Sequence, residues 1–478
     1  MSSTPTRNVR RGFTADDSRR ERGISLQSLR KMKRSEVLEL SAQSSAERIL
    51  PAEEITKDYL IYMLGHINTC EEAEIIRMLA VLEYNFLHSP SLVDTGVEKG
   101  AIPVLSALPV SHGTNVAPHA LSALNALLLN ASIITGDPSV GKAVEAILHE
   151  AMGIRHYSLA RQAAACLANM IRVLRHFQIA PTTVHDAVTL ISAYPSHTDA
   201  AIALLAMITG IDGQATLFPS VLVGPVVEAL CRVFKSLIAN PTAKNLHQPA
   251  HSGVLLLMTC TSAMSADDIG VLGPDLIDLV ATVATLAPQA ITARALAVLG
   301  NIAIMGEGPA RQLAQQHRAR VVIQATLYAQ VPEPVQVRSI WLMAQLIGRL
   351  PAFAEEMHGA RMLAVIPDAL VITRQRVTAE VFWLLTTMAA VADLSVIQDV
   401  VDDTVIARAV FVLRPEIRAS DLQELCLGFL AKLFDRDTQF LTLFERCDGR
   451  GAVDALARAG AGKIQGSAAS FRDMYLSA

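Results

Sequence analysis

An amide side chain recurs inside apolar helical stretches of this sequence at a nearly fixed interval. The stretches are LEYNFL (Asn85), LNALLL (Asn125), LANMIR (Asn169), LGNIAI (Asn301) and MAQLIG (Gln345). Successive members lie 40, 44, 132 and 44 residues apart, and 132 is three steps of 44. Two degenerate copies fit the long gap, near Met207 (LAMITG) and Thr259 (LMTCTS), and two more follow at Thr387 (LLTTMA) and near Ala431 (FLAKLF). A fixed period means one supersecondary unit repeated along the chain, none of which buries its apolar face alone.

The length agrees. A chain of 478 residues exceeds the roughly 250–300 residues at which a single core stops growing, so it divides into domains or grows by repetition. Ala and Leu dominate and aromatics make up only 5%, which favours helix. After residue 50, amphipathic stretches alternate with Gly, Pro or Asp/Ser breaks, and no alternating strand pattern appears. EKGAIPVL (98–105) reads as a Gly turn followed by Pro near a helix start. A period of about 43 fits helical solenoids of the armadillo or HEAT type, whose units run ~40–47 residues. Some nine units then cover about 60–450.

Charge is unevenly spread. Residues 1–34 hold ten basic and three acidic groups, and the remainder holds 31 basic and 42 acidic. A basic arm on an acidic body suits a body that receives basic ligands and an arm read by an acidic partner; the acidic body argues against broad phosphate contact and direct nucleic-acid binding. The six cysteines (70, 166, 231, 260, 426, 447) form no CxxC pair and read as small hydrophobes of a reducing compartment. The N-terminus has no apolar core of a signal peptide. The uncharged stretch 100–136 is broken by Pro103, Pro109, Gly113 and Pro118, so no membrane insertion is expected.

Buried amides must be hydrogen-bonded. One such Asn can serve a neighbouring helix end. Four Asn and a Gln in register form an array able to bond the main chain of an extended peptide, as donor and acceptor. The only tryptophans, Trp341 and Trp383, stand 42 residues apart, each four residues before an amide-register position (Gln345, Thr387). Residues i and i+4 share a helix face, so either two indoles frame a slot for a Lys or Arg stem or both are core residues. Asp212, Glu307 and Glu380 are candidate readers of a cationic head. GDPSVGKA (136–143) fits G-x-x-x-x-G-K but continues with Ala143, lacking the hydroxyl that holds Mg²⁺. No metal-ligand spacing, nucleophile elbow or carboxylate pair is evident, so no enzyme, metal or cofactor is expected.

With the repeats in view, DSRRERGISLQSLRKMKRSE (17–36) followed by EKGAIPVL and LGNIAIMGEGPARQ resembles the importin-α family of nuclear-import adaptors over about residues 10–450. The resemblance implies an all-α, right-handed armadillo-repeat superhelical solenoid of about nine to ten repeats. It divides the chain into a basic importin-β-binding segment (1–45), a solenoid (46–460) and a C-terminal tail (461–478). It implies that Lys/Arg-rich nuclear localisation signals lie in a groove, held by Asn85, Asn125, Asn169, Asp212, Asn301, Glu307, Trp341, Gln345, Glu380 and Trp383. Importin-β would take Arg19, Arg20, Arg22, Arg30, Lys31, Lys33 and Arg34, a CAS-type export receptor would recycle the chain, and the protein would shuttle between cytoplasm and nucleus. The sequence departs from the family where its first groove site carries tryptophans: Leu121, Ala165 and Ala203 stand there. VLELSAQSS also replaces the autoinhibitory basic cluster. The alternative is an armadillo or HEAT scaffold, catenin-like or cytoskeletal, with no import role.

Overall fold

A computed structural model describes residues 55–132, 139–174, 179–195, 198–211, 217–315, 318–327, 331–370, 374–460 and 462–476. The basic segment, with its seven named Arg and Lys residues, and Asp212 lie outside these. The described residues are helical, and they group into two compact units, one within 13–264 and one from 277 onward.

The first unit contains α1 (Lys57–His66), α2 (Glu72–His88), α3 (Pro90–Glu98), α4 (Ala101–His112), α5 (Ala117–Asn130), α6 (Ser139–Gly153), α7 (Tyr157–Val173), α8 (Pro181–Ala193), α9 (Asp199–Thr209), α10 (Phe218–Val221), α11 (Gly224–Ala239) and α12 (Lys244–Thr261). Local sequence sets these boundaries. Pro90 and Pro181 open α3 and α8, where the missing N–H costs nothing. Gly100 turns the chain into α4 with φ +79, as EKGAIPVL suggested. Helices α2, α5, α7, α9 and α12 pack on one another in series. A second row, α4, α6, α8 and α11, packs against them. Short helices α3 and α10 precede the α4–α5 and α11–α12 pairs, giving three-helix repeats there.

The second unit follows the same plan. Its long row is α14 (Gln289–Met305), α17 (Glu333–Arg349), α20 (Gln375–Val391), α23 (Ser420–Arg436) and α26 (Lys463–Tyr475). Between these lie α15 (Glu307–Gln315), α16 (Arg318–Leu327), α18 (Ala352–Gly359), α19 (Ile366–Ala369), α21 (Leu394–Val400), α22 (Asp403–Val412), α24 (Gln439–Arg446) and α25 (Gly449–Ala459); α13 (Gly273–Leu286) precedes them. Asp402 caps α22 by accepting from the Val405 N–H at 2.9 Å. The stretch read as a tail contains α26, whose Phe471 is buried among Phe434 and Phe444. Tyr475 donates to Asp435 at 2.9 Å; burial and that carboxylate push its phenol up to about 12.

The core is Ala and Leu between long helices, with Ala120, Ala163, Ala201, Ala295, Leu124 and Leu296 inaccessible. Small side chains let successive helices approach closely. At four junctions the approach also brings a helix's last carbonyls to the next long helix, which bonds them. Asn130 Nδ2 donates to Phe86 O at 2.8 Å, Arg349 Nη2 to Ile304 O at 2.7 Å and Arg436 Nη2 to Ala392 O at 2.7 Å; Arg172 does the same for Leu128 O. A cation there also faces the negative end of the helix dipole.

The degenerate copies resolve as well. Thr209, two residues beyond Met207, shares a hydrogen bond of 2.8 Å with Thr259, fixing the register between α9 and α12. Cys166, Cys260 and Cys426 are buried and the six thiols are free. Burial pushes Cys260 up to about 12 and raises Cys166 and Cys426 strongly, so these are packing residues rather than nucleophiles. No helix among the described residues is long and apolar enough to cross a membrane.

Close approach is tightest at Gly300, where an added Cβ would meet Trp341 Cζ3 at 1.9 Å. Gly300→Ala should therefore lower stability by about 2 kcal/mol or more through overpacking. Gly428→Ala, in the exposed middle of α23 with nothing within 4 Å, should raise it by about 0.5–1 kcal/mol. Urea midpoints of the two variants check the contrast.

Candidate peptide-binding groove

In the first unit a groove of about 270 Å³ crosses the long helices α5, α7, α9 and α12. Its floor holds Leu121, Ala165, Ala168, Ala200 and Ala203. The positions where the resembled family carries tryptophans are thus small or aliphatic, and the space is left open. Asn125 and Asn169 line the same groove, so the repeat period does bring these two amides to one surface. They bond each other, Asn169 Nδ2 donating to Asn125 Oδ1 at 2.6 Å. Asn169 is buried and Asn125 half-buried, which leaves the Asn125 Nδ2 donors directed away from that bond.

Asn85, one repeat earlier, is already engaged by the chain itself. Its Oδ1 accepts from the Ile55 N–H at 3.2 Å and its Nδ2 donates to Val81 O at 2.9 Å. An amide of this ladder bonding a main-chain N–H from 30 residues away is the interaction expected for an extended peptide, here made within the molecule.

Four groove residues lay outside the sequence expectation. Gln162 and Gln248 each present a buried carbonyl oxygen without a hydrogen-bond partner. Gln162 precedes Asn169 by seven residues, two helical turns along the same face. The other two form an ion pair. Arg161 Nε donates to Asp199 Oδ1 at 3.0 Å and Nη2 to Oδ2 at 2.8 Å. Burial tends to raise the Asp199 carboxyl, but the hydrogen bonds and charge of Arg161 outweigh it and hold it below the ordinary value. The same bonds raise Arg161.

In the second unit Asn301 and Gln345 are buried on α14 and α17. Trp341 is 3% exposed and lies flat on Gly300 of the preceding long helix, with the Arg338 guanidinium 6.0 Å from its ring centroid. Trp383, on α20, is half-buried, and Thr387 Oγ1 donates to its carbonyl at 2.9 Å. Glu380 is buried. The row seven residues ahead of the amide register therefore reads Arg294, Arg338, Glu380, with Arg294 and Arg338 also buried. The two arginines are 44 residues apart, so the period that found the amides also marks them. Glu307 stands elsewhere. It opens α15 beyond Gly306, pairs with Arg311 one turn on, and borders a separate cleft of about 1110 Å³ with Arg320, Arg349 and Glu356.

Gly141 and Lys142 of the P-loop-like stretch lie within α6, while 133–138 lie outside the described residues. No cluster of three or more His, Cys, Asp or Glu able to hold a metal ion occurs among the described residues.

No protein-family model matches the sequence, and no curated protein does. Solved structures do match. An engineered protein is 16% identical over 88% of this chain and 98% of its own, with a TM-score of 0.66. A β-catenin structure, described in terms of a phosphorylation switch controlling its interaction with cadherin, is 14% identical over 88% of this chain and 84% of that one, with a TM-score of 0.59. A designed armadillo repeat protein in complex with a (KR)4 peptide is 14% identical over 52% of this chain and 99% of that one, with a TM-score of 0.44. At such identities the likeness is one of fold, an all-α repeat stack.

The ion pair gives a pH signature. A carboxyl held below its ordinary value stabilises the fold above the unfolded aspartate range, and that stability disappears as pH falls through the lowered value. Both side chains are about 40% exposed, so the contribution is a few tenths to about 1 kcal/mol. Asp199→Asn should cost that much near pH 6 and progressively less as pH falls through the acid range, measured by urea unfolding across that range.

Proposed function

We propose that this chain is a non-enzymatic adaptor that holds extended peptides along its long helices, and that its peptides are Lys/Arg-rich nuclear localisation signals. The carrying observation is the first-unit groove. Four successive long helices line it, its floor is small and apolar, and its polar groups, apart from Ser122 and the Arg161–Asp199 pair, are amides that offer hydrogen bonds to a main chain. A peptide lying across repeats meets the same side-chain type once per repeat.

The import reading adds the basic segment. DSRRERGISLQSLRKMKRSE concentrates positive charge ahead of an otherwise acidic chain, which suits a handle for an acidic receptor of the importin-β kind. Residues Arg19, Arg20, Arg22, Arg30, Lys31, Lys33 and Arg34 would make that contact. Trp383, Glu380 and Gln345 would serve a second stretch of peptide on the second unit. A CAS-type export receptor and shuttling between cytoplasm and nucleus follow from the same reading.

Deleting residues 1–45 separates the two parts of the proposal. Importin-β binding should fall by at least a hundredfold in a pull-down or calorimetric titration, with the melting temperature of the solenoid unchanged. Retained binding would remove the import role and leave the peptide groove standing.

A further inference from the structure

Among the described residues lining the first-unit groove, Asp199 is the only carboxylate and Arg161 the only cation. Arg161 engages both oxygens of Asp199 in a fork, at 3.0 and 2.8 Å, the geometry that makes guanidinium–carboxylate pairs specific. The pair is not core: the side chains are 41% and 39% exposed. They sit on different repeats, Arg161 on α7 and Asp199 at the start of α9. A ligand ammonium or guanidinium entering this groove would find its one anionic partner already taken.

The remaining polar groups are of another kind. The carbonyl oxygens of Gln162 and Gln248 are buried and accept no hydrogen bond. A buried acceptor without a donor is destabilising, and a ligand that donates to it recovers that loss. These acceptors carry no charge, so they reward an N–H or O–H without requiring a cation.

We propose that Arg161 is a specificity-determining residue, a built-in counter-ion that withholds Asp199 from basic ligands and sets this groove to receive an uncharged, hydrogen-bond-donating segment of an extended peptide. This rests on the reading of the groove as a peptide site. A cargo with a basic cluster would then place its neutral stretch here and its cations elsewhere. Arg161 itself contacts Asp199 and borders the groove; it acts on a ligand by occupying the carboxylate.

The test titrates the full chain with two fluorescent decapeptides of equal length, one rich in Lys and Arg, the other with Gln and Ser in those places. Arg161→Ala should tighten the basic peptide about three- to fivefold, the size of a half-exposed ion pair. The gain should shrink as salt rises. Asp199→Asn should not tighten it, and the neutral peptide should change less than twofold in either variant. Adding Asn169→Ala to Arg161→Ala should erase the gain, which places it in this groove. A purely structural staple predicts losses from both single variants, so the opposite sign is diagnostic. Should Arg161→Ala melt too low to titrate, Arg161→Lys, which keeps the charge and loses the fork, should show a smaller gain of the same sign. Unchanged or weaker basic-peptide binding in these Arg161 variants, with wild type binding both peptides, overturns this inference alone. No binding of either peptide by wild type or variant overturns the peptide groove as well.

Discussion

The junction between one long helix and the next is the constraint on which the rest depends. A repeat in a stack has neighbours only on either side of it, and an isolated helix of this length is marginal in water. The junction therefore has to be close and fully hydrogen-bonded. Ala120, Ala163, Ala201 and Ala295 make it close. Asn130, Arg172, Arg349 and Arg436 bond the last-turn carbonyls that closeness brings to them. Each such bond from a guanidinium contributes about 1.5–3 kcal/mol. Losing one would leave a buried carbonyl bare at a helix end.

The same junction decides where functional groups go. Residues one period apart are opposed, so any side-chain type that recurs with the period becomes a row. The amide row brings Asn125 against Asn169 at 2.6 Å. The row seven residues earlier places Gln162 in the first-unit groove and Arg294, Arg338 and Glu380 along the second unit. Within the second unit that row changes sign from cation to anion between α17 and α20. A repeat protein of this kind can alter its charge pattern one residue at a time without disturbing the stack.

How much of this was legible in the sequence follows from what kind of signal each feature leaves. The period, the helical class and the Asn125–Asn169 surface were legible, because repetition multiplies a weak signal. Met207 missed its register by two residues; Thr209 holds it, because the link between α9 and α12 is longer and contains α10. Trp341 does share a helix with Gln345 four residues on, but spacing gives direction and not depth, and Trp341 is buried. The sign of its burial was Gly300, one residue before Asn301, whose missing Cβ admits the ring. Glu307 follows Asn301 by six residues, yet α14 ends before it at Gly306, and it belongs to another helix. Arg161 and Asp199 are 38 residues apart, off the period, so the diagonal pair across the groove left no periodic trace.

That diagonal pair shows why a period alone underdetermines specificity. Rows tell which groups share a surface; only contacts across rows tell which of them are free to act. An amide ladder reads, from sequence, as a rail for an extended peptide, and an aspartate on the same groove would by itself attract cations. With Arg161 holding both oxygens of Asp199, the groove offers oxygen acceptors and no net charge. A neutral peptide segment bound there would be held by hydrogen bonds, which salt screens little. Recognition of the basic segment 17–36 by an acidic partner would be Coulombic, which salt screens strongly. On the proposed reading the chain would separate two recognition tasks by physical mechanism, and a partner adapted to one would gain nothing at the other.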